Sequence, residues 1–235
     1  MNRYIFDIDG TLTPSRGIID PDFKNWMLDF ASKNPVYLVT GSDKIKTLEQ
    51  IGTSLYNLCQ KVYQCSGNDV WEKDNNLYTN SFNMEEHLLK DLKRILKDSK
   101  FYKKTGNHIE IRPGLCNFSI LGRGATLEDR AMYKQWDEHK NEREKIVFTL
   151  TKIYDKIYDI KVAGETGIDI VMKGFDKSQI IQDFSPHDKV IFFGDKMNPD
   201  GNDYTLALET INSGGDIHHI KNWQETWSIL RKYVQ

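Results

Sequence analysis

Two carboxylates one residue apart, Asp7 and Asp9, open the run Asp7-Ile8-Asp9-Gly10-Thr11-Leu12-Thr13 directly behind the short apolar segment Tyr4-Ile5-Phe6. At a strand end, residues i and i+2 point the same way. In an open α/β sheet that direction is the ligand crevice. Carboxylates buried this close together need a cation or must share a proton. Asp and Gly also favour a plain capped turn, so the pair points to chemistry only through its partners. Thr40-Gly41-Ser42 follows a second apolar run, Val36–Val39, and offers a hydroxyl and backbone N–H groups to a phosphate at a helix start. Lys177, in Gly174-Phe175-Asp176-Lys177, opens a later helix. Gly194-Asp195-Lys196 ends the apolar run Val190–Phe193 and precedes Asn202-Asp203. Singly, these read as a cap, a solvated lysine and a turn. Together and in this order they sit where a phosphoryl-transfer site of an α/β sheet would need them, which a set of unrelated turns and caps explains poorly. A calcium loop is excluded. Counted from Asp7, the sixth and twelfth positions are Leu12 and Ile18, and counted from Asn198 the sixth is Asp203, where the sharp turn needs Gly.

A second constellation lies mid-chain. Arg112 shares parity with His108 and Glu110, opposite Ile109 and Ile111. Asn117 and Ser119 alternate with Phe118 and Ile120, and Asp169 sits between Ile168 and Ile170. Gly122-Arg123-Gly124 leads into Thr126-Leu127-Glu128-Asp129, a capping-box-like helix start, with Arg130 in its first turn. One wet sheet face and one helix N-terminus thus form an anion site, for which the forked guanidinium suits better than an ammonium. Any one of these arginines alone would be read as a solvated or ion-paired side chain.

The elements that must position these residues are legible from periodicity. Tyr4–Phe6, Val36–Val39 and Val190–Phe193 read as fully buried parallel strands. Phe23, Trp26, Met27 and Phe30 mark one helix, and Ile45, Leu48, Ile51, Leu55 and Leu58 another. Asn83-Met84-Glu85-Glu86 resembles a capping box before a helix carrying Leu88, Leu89, Leu92, Ile95 and Leu96. His108–Arg112, Cys116–Leu121 and Gly167–Met172 alternate as half-exposed strands. A helical region from Leu127 to Tyr158, broken at Asp137–Asn141, separates the last two. The expected fold class is α/β: a doubly wound parallel-sheet (Rossmann-like) core with an inserted α/β cap domain containing an antiparallel sheet. The core is expected over residues 1–81 and 175–235, the cap over 82–174.

With 11 Phe, 11 Tyr and 5 Trp in 235 residues, the chain has ample apolar surface for a packed core, which excludes disorder. Lys+Arg 32 against Asp+Glu 34 leaves a net charge of −2, so no global field attracts nucleic acid or anionic lipid. The cluster Lys97, Lys100, Lys103, Lys104 is interrupted by Asp98 and reads as a solvated helix end. No apolar run approaches the ~20 residues of a membrane span, and the N-terminus enters a strand at once, so no leader is expected. Neither glycine-rich nucleotide motif occurs at a strand end. Cys59, Cys65 and Cys116 form no C-x-x-C pair, which suits a reducing cytoplasm.

The order Asp7-x-Asp9-Gly10-Thr11, Thr40, Lys177 and Gly194-Asp195 with Asn202-Asp203 resembles the haloacid dehalogenase superfamily of phosphotransferases. Within it the chain is similar to the eukaryotic-type phosphomannomutases almost end to end. The matching segments are Asp7–Thr13 with Arg16, Gly41-Ser42-Asp43, Glu110-Ile111-Arg112-x-Gly114, Gly122-Arg123, Glu128-x-Arg130, Asp169, Gly174–Lys177 and Phe192–Lys196. The resemblance implies Asp7 as nucleophile, Asp9 as general acid/base, and Thr40 and Lys177 as ligands of the phosphoryl oxygens. It also implies a Mg²⁺ site at Asp7, Asp9 and Asp195, and Arg112, Arg123 and Arg130 on a distal phosphate. Asp169 would accept sugar hydroxyls, and Arg16 would gate the cleft. The implied reaction interconverts mannose 6-phosphate and mannose 1-phosphate, with glucose phosphates as further substrates. The resemblance further implies a hexose 1,6-bisphosphate as activator and a homodimer through the cap. Four positions depart from the family: Gly167 where the mutases carry serine, Thr40 in place of glycine, and Asn198 with Asp200 in the loop after Asp195. Two alternatives stay open, a Mg²⁺-dependent sugar-phosphate phosphatase and an inactive sugar-phosphate-binding protein.

Overall fold

Strand β1 (Asn2–Phe6) is apolar at consecutive positions because both of its faces are covered: Ile5 enters one buried layer, Tyr4 and Phe6 the other. The computed structural model describes residues 1–233. After β1 come α1 (Pro21–Lys33), β2 (Val36–Val39), α2 (Lys44–Leu58), β3 (Lys61–Gln64), β4 (Asp69–Glu72) and β5 (Asn75–Thr79). The middle of the chain forms α3 (Glu86–Asp98), β6 (Ile109–Arg112), β7 (Leu115–Phe118), α4 (Leu127–Lys140), α5 (Glu142–Tyr154), β8 (Tyr158–Ala163) and β9 (Gly167–Met172). A 3-10 helix (Lys177–Asp183), β10 (Lys189–Gly194), α6 (Tyr204–Asn212), β11 (Asp216–His219) and α7 (Trp223–Tyr233) complete it. Two compact units result, Met1–Thr79 with the chain from Phe175 onward, and Asn80–Gly174. The first junction falls at 79/80 rather than 81/82 because β5 runs to Thr79 in the core sheet.

The first unit carries a seven-stranded sheet of order β11-β10-β1-β2-β3-β4-β5. Its first five members are parallel; β4 pairs antiparallel with β3, and β5 antiparallel with β4. Because β1 has β2 on one side and β10 on the other, strand order reverses beside β1, which puts the ligand crevice at its carboxyl end. One layer holds Phe23, Met27 and Phe30 of α1, Ile51 and Leu55 of α2 and Leu230 of α7. The opposite layer holds Ile180, Leu206 and Ala207. Helix starts are set locally. The Asp20 side chain accepts from the Asp22 and Phe23 N–H groups with Pro21 in the first turn, and Asp43 accepts from Lys46 N–H.

The apolar stripe expected along α2 holds only in part. Ile45 and Leu58 are exposed, while Thr47 and Gln50 are fully buried. Gly52, at φ +76°, interrupts the helix and puts the residues on either side of it out of phase. Strands β3 to β5 carry no readable signal: the first two have four residues each, and β5 is exposed at every position.

The second unit is a four-stranded antiparallel sheet of order β6-β7-β9-β8. Leu88 and Leu92 of α3, Tyr133 of α4 and Ile146 and Leu150 of α5 pack with Phe118, Ile160, Ile168 and Ile170 on one face. Helices α4 and α5 part at Asn141, whose φ of +50° is the left-handed conformation Asn tolerates. Three local expectations are corrected. The strand expected over Cys116–Leu121 stops at Phe118, because Ser119 turns its hydroxyl onto the Thr166 carbonyl and receives Gly122 N–H. Asn83 is no N-cap. The cap is Glu85, whose N–H bonds to the Tyr158 hydroxyl, and that hydroxyl donates to the Asn83 carbonyl. Tyr158 itself begins β8 rather than ending a helix.

Candidate active site

Asp7 follows β1 directly, and its N–H bonds to the Phe193 carbonyl, which locks it beside the end of β10. Lys177 reaches it from the 3-10 helix. The lysine is 1% exposed and donates 2.7 Å bonds to Asp7 Oδ1 and to Asp203 Oδ1. Asp195 completes the group: oxygens of Asp7, Asp195 and Asp203 all lie within 4.8 Å of one another. Three strand or helix ends, widely separated in sequence, therefore converge on one point. Two glycines permit the approach. A Cβ at Gly10, where φ is +83°, would lie 2.5 Å from Asp195 Oδ2, and one at Gly194 would lie 2.7 Å from Asp203 Oδ2.

Burial raises the Asp7 carboxyl well above the ordinary carboxylate range; Lys177 pulls it down, and Asp203 and Asp195 push it up. Asp195 is raised too, first by burial, with Asp203 adding to it and Lys196 and Lys177 opposing. For Lys177 burial favours the neutral amine, but Asp203 and Asp7 outweigh it and hold the ammonium above its usual value. Three carboxylates thus face one ammonium, and the set lacks positive charge. Hard oxygen donors this close fit a small divalent cation such as Mg²⁺.

Asp203, to which the sequence reading gave no role, joins Asp7 and Asp195 in this cluster, while the Asp9 carboxylate is held by other partners. Asp9 Oδ1 accepts from the Arg16 N–H and from Gln50 Nε2 at 2.9 Å. The Arg16 backbone is left-handed at φ +58°, and its side chain is exposed. Thr40, just beyond β2, is buried; its Oγ1 accepts from Ser42 N–H at 3.1 Å, so its own hydroxyl proton is directed elsewhere.

In the second unit the uncovered face of the sheet carries a cross-strand row, Glu110, Asn117, Asp169 and Lys161. Glu110 takes two 3.0 Å bonds from Arg112 and pairs with Arg123 Nε. Arg123 also donates to Asn117 Oδ1 at 3.1 Å, and Asn117 Nδ2 donates to Asp169 Oδ1 at 2.6 Å. Burial works upward on the Glu110 carboxyl, yet the Arg112 bonds and the two guanidinium charges hold it below the usual range. Asp169 is raised, chiefly by burial. Arg130 lies in the first turn of α4, behind a capping box of Thr126 and Asp129, and is half-buried. Gly167 is bare for a local reason: a Cβ there would stand 2.8 Å from Asn117 Nδ2.

The structure therefore joins Asp7, Lys177 and Asp195 in one cluster, and Arg112, Arg123 and Asp169 in one network. Sequence reasoning assigned no role to Asp203, Gln50 or Glu110. Asp203 had a signal, since Asn202-Asp203 stands out after Gly194-Asp195. Gln50 had none, being one polar residue in a helix.

A family model described as eukaryotic phosphomannomutase matches residues 23–234. Human phosphomannomutase 1 is 29% identical over 239 residues, covering 97% of this chain and 90% of the relative. The Saccharomyces cerevisiae phosphomannomutase is 28% identical, covering 96% and 91%. Among solved structures, one of a phosphoryl-transfer superfamily with a trigonal-bipyramidal intermediate aligns at TM-score 0.60 and 15% identity, covering 99% of this chain and 98% of the other. The IMP-bound Plasmodium falciparum IMP-nucleotidase mutant aligns at TM-score 0.63 and 15% identity, covering 98% and 67%. At these identities the structures speak for the fold.

Proposed function

The chain belongs to the eukaryotic phosphomannomutase family, and on that premise we propose how its own residues interconvert mannose 6-phosphate and mannose 1-phosphate. Lys177 occupies Asp7 Oδ1, so Asp7 Oδ2 attacks phosphorus. With a hexose 1,6-bisphosphate bound, the phosphorus–oxygen bond to the sugar breaks as the aspartyl-phosphate forms, the Asp9 proton passes to the leaving oxygen, and the hexose keeps its other phosphate. In the return step Asp9 takes the proton from the free hydroxyl of a hexose monophosphate, which attacks the aspartyl-phosphate, frees Asp7 and restores the 1,6-bisphosphate. Asp7, Asp195 and Asp203 would hold Mg²⁺, whose charge offsets that of the phosphoryl oxygens. Thr40 turns its hydroxyl proton to a phosphoryl oxygen, and Lys177 neutralises the charge that develops.

The observation that carries isomerisation over hydrolysis is the guanidinium pair on Glu110. A phosphatase needs one phosphate site; a mutase must hold a second phosphate on fixed, forked donors. Arg112 and Arg123 are pre-set by one carboxylate, with Arg130 at a helix N-terminus and Asp169 oriented by Asn117 toward sugar hydroxyls. Arg16 contacts the substrate from its exposed loop. A hexose 1,6-bisphosphate primes the enzyme, and glucose phosphates are further substrates. We place the protein in the cytoplasm, in keeping with three buried cysteines that form no disulfide. No described helix is long and apolar enough to cross a membrane. Exposed Leu127, Phe148 and Ile153 support a homodimer through residues 80–174.

The test is phosphorus NMR of the purified chain with Mg²⁺, mannose 1-phosphate and a trace of glucose 1,6-bisphosphate. A growing 6-phosphate resonance with little free phosphate is expected. Free phosphate alone would make the enzyme a phosphatase.

A further inference from the structure

Gln50 is an odd residue to bury. It is fully inaccessible, and its Nε2 faces three acceptors: Asp9 Oδ1 at 2.9 Å, Thr13 Oγ1 at 3.3 Å and the Gly17 carbonyl at 3.3 Å. Its Oε1 is buried with no partner among the described residues. Three acceptors around one end fix the amide's orientation, because the flipped amide would aim its oxygen at all three. A stranded buried amide oxygen destabilises the fold, so an apolar residue would serve stability better. What the amide supplies is control of Asp9. Gln50 Nε2 and the Arg16 N–H both donate to the same oxygen, Oδ1, and Oδ2 has no hydrogen-bond partner among the described residues. The two carboxylate oxygens are thereby made unequal: one is tied from opposite sides of the loop, the other is left to exchange a proton.

We propose that Gln50 is a positioning residue for the general acid, fixing the Asp9 carboxyl through Oδ1 so that Oδ2 carries the proton to and from the sugar oxygen. The proposal rests on the acid/base role given to Asp9 above. Gln50 touches no reacting atom; it acts through Asp9 alone, by removing the carboxyl's rotational freedom.

The chemistry supplies a test that a mere loop clamp would fail. A sugar oxygen leaves poorly without a proton, whereas nitrophenolate leaves without one. The full chain with Mg²⁺ is assayed on mannose 1-phosphate and on para-nitrophenyl phosphate. Gln50→Met keeps the volume, removes the donor and removes the stranded oxygen; Gln50→Glu keeps the shape and puts an acceptor against Asp9. Both variants are expected to lose roughly 30-fold or more in kcat on the sugar ester, with KM within about threefold, while single-turnover release of nitrophenolate, which needs no proton from Asp9, stays within about threefold. Thermal melts of both variants report folding. Parallel losses on the two esters would reduce Gln50 to a structural clamp, and undiminished sugar-ester turnover would remove it from the mechanism; either overturns the proposal. Failure of the mutase reading is seen separately. The unmodified enzyme would then release free phosphate instead of 6-phosphate, and the ratio of sugar-ester to aryl-ester turnover would still report on Gln50.

Discussion

Gly10 turns at φ +83°, and the space a Cβ would need is held by the Asp195 carboxylate. Two independent constraints therefore select the same residue: a left-handed backbone and a carboxylate at van der Waals limit. Gly10→Ala must strain the turn or push Asp195 out of the cluster. We expect a loss of about 1–3 kcal/mol in stability by chemical denaturation, and a fall in kcat that added Mg²⁺ does not restore. Unchanged kcat would separate the Asp195 position from catalysis. A glycine after two aspartates is visible in the sequence, but its neighbour across the cleft is not, since Asp195 lies far along the chain. Lys177 teaches the same lesson. By type it reads as a solvated lysine, and only the fold makes it a buried cation between Asp7 and Asp203.

Elements follow from local pattern wherever the pattern is long. The helices α1 and α3 each announce an apolar face, and the break at Asn141 is legible from polarity alone. What holds that break is not. Arg143 Nε donates to Asp137 Oδ2 at 2.7 Å, Arg143 N–H caps Asp137 Oδ1, and the guanidinium reaches the Gly164 carbonyl in the β8–β9 turn. Both partners are nearly buried, at 11% and 8% exposure. Asp137→Ala would leave an unpaired buried guanidinium, which costs on the order of 3–5 kcal/mol. A guanidinium chloride titration should register that loss, whereas the exposed pair Lys90–Glu86 should register under about 1 kcal/mol when broken. Strand β8 escaped the sequence because its run begins where the helical periodicity of α5 has just ended. The alternation Tyr158-Asp159-Ile160-Lys161-Val162 is present, but Tyr158 also continues the helical spacing from Tyr154.

For the molecule as a whole, charge is close to balanced at −2, yet it is not evenly spent. The site concentrates Asp7, Asp195 and Asp203 against Lys177, so the folded chain pays for function in self-repulsion. A divalent cation that binds only the folded state should return that energy, about 2.7 kcal/mol at a hundred times its Kd. Calorimetry should find Tm higher by several degrees in Mg²⁺ than in EDTA, and Asp203→Asn should shrink the gain. Equal melting in both would separate the cluster from metal binding.

The sequence by itself determined the α/β class, the strand ends that carry Asp7, Thr40 and Asp195, and the polar parity of Arg112, Asn117 and Asp169. Those properties live in short-range periodicity and in residue type. Only the tertiary structure decided that Asp203 joins Asp7 and Asp195, and that Gln50 is turned onto Asp9. It also decided that one carboxylate, Glu110, holds two arginines. The reason is distance along the chain. Gln50 lies 41 residues from Asp9, and Lys177 lies 170 from Asp7. A pairing of that separation is selected by packing over the whole sheet, and no local pattern encodes it.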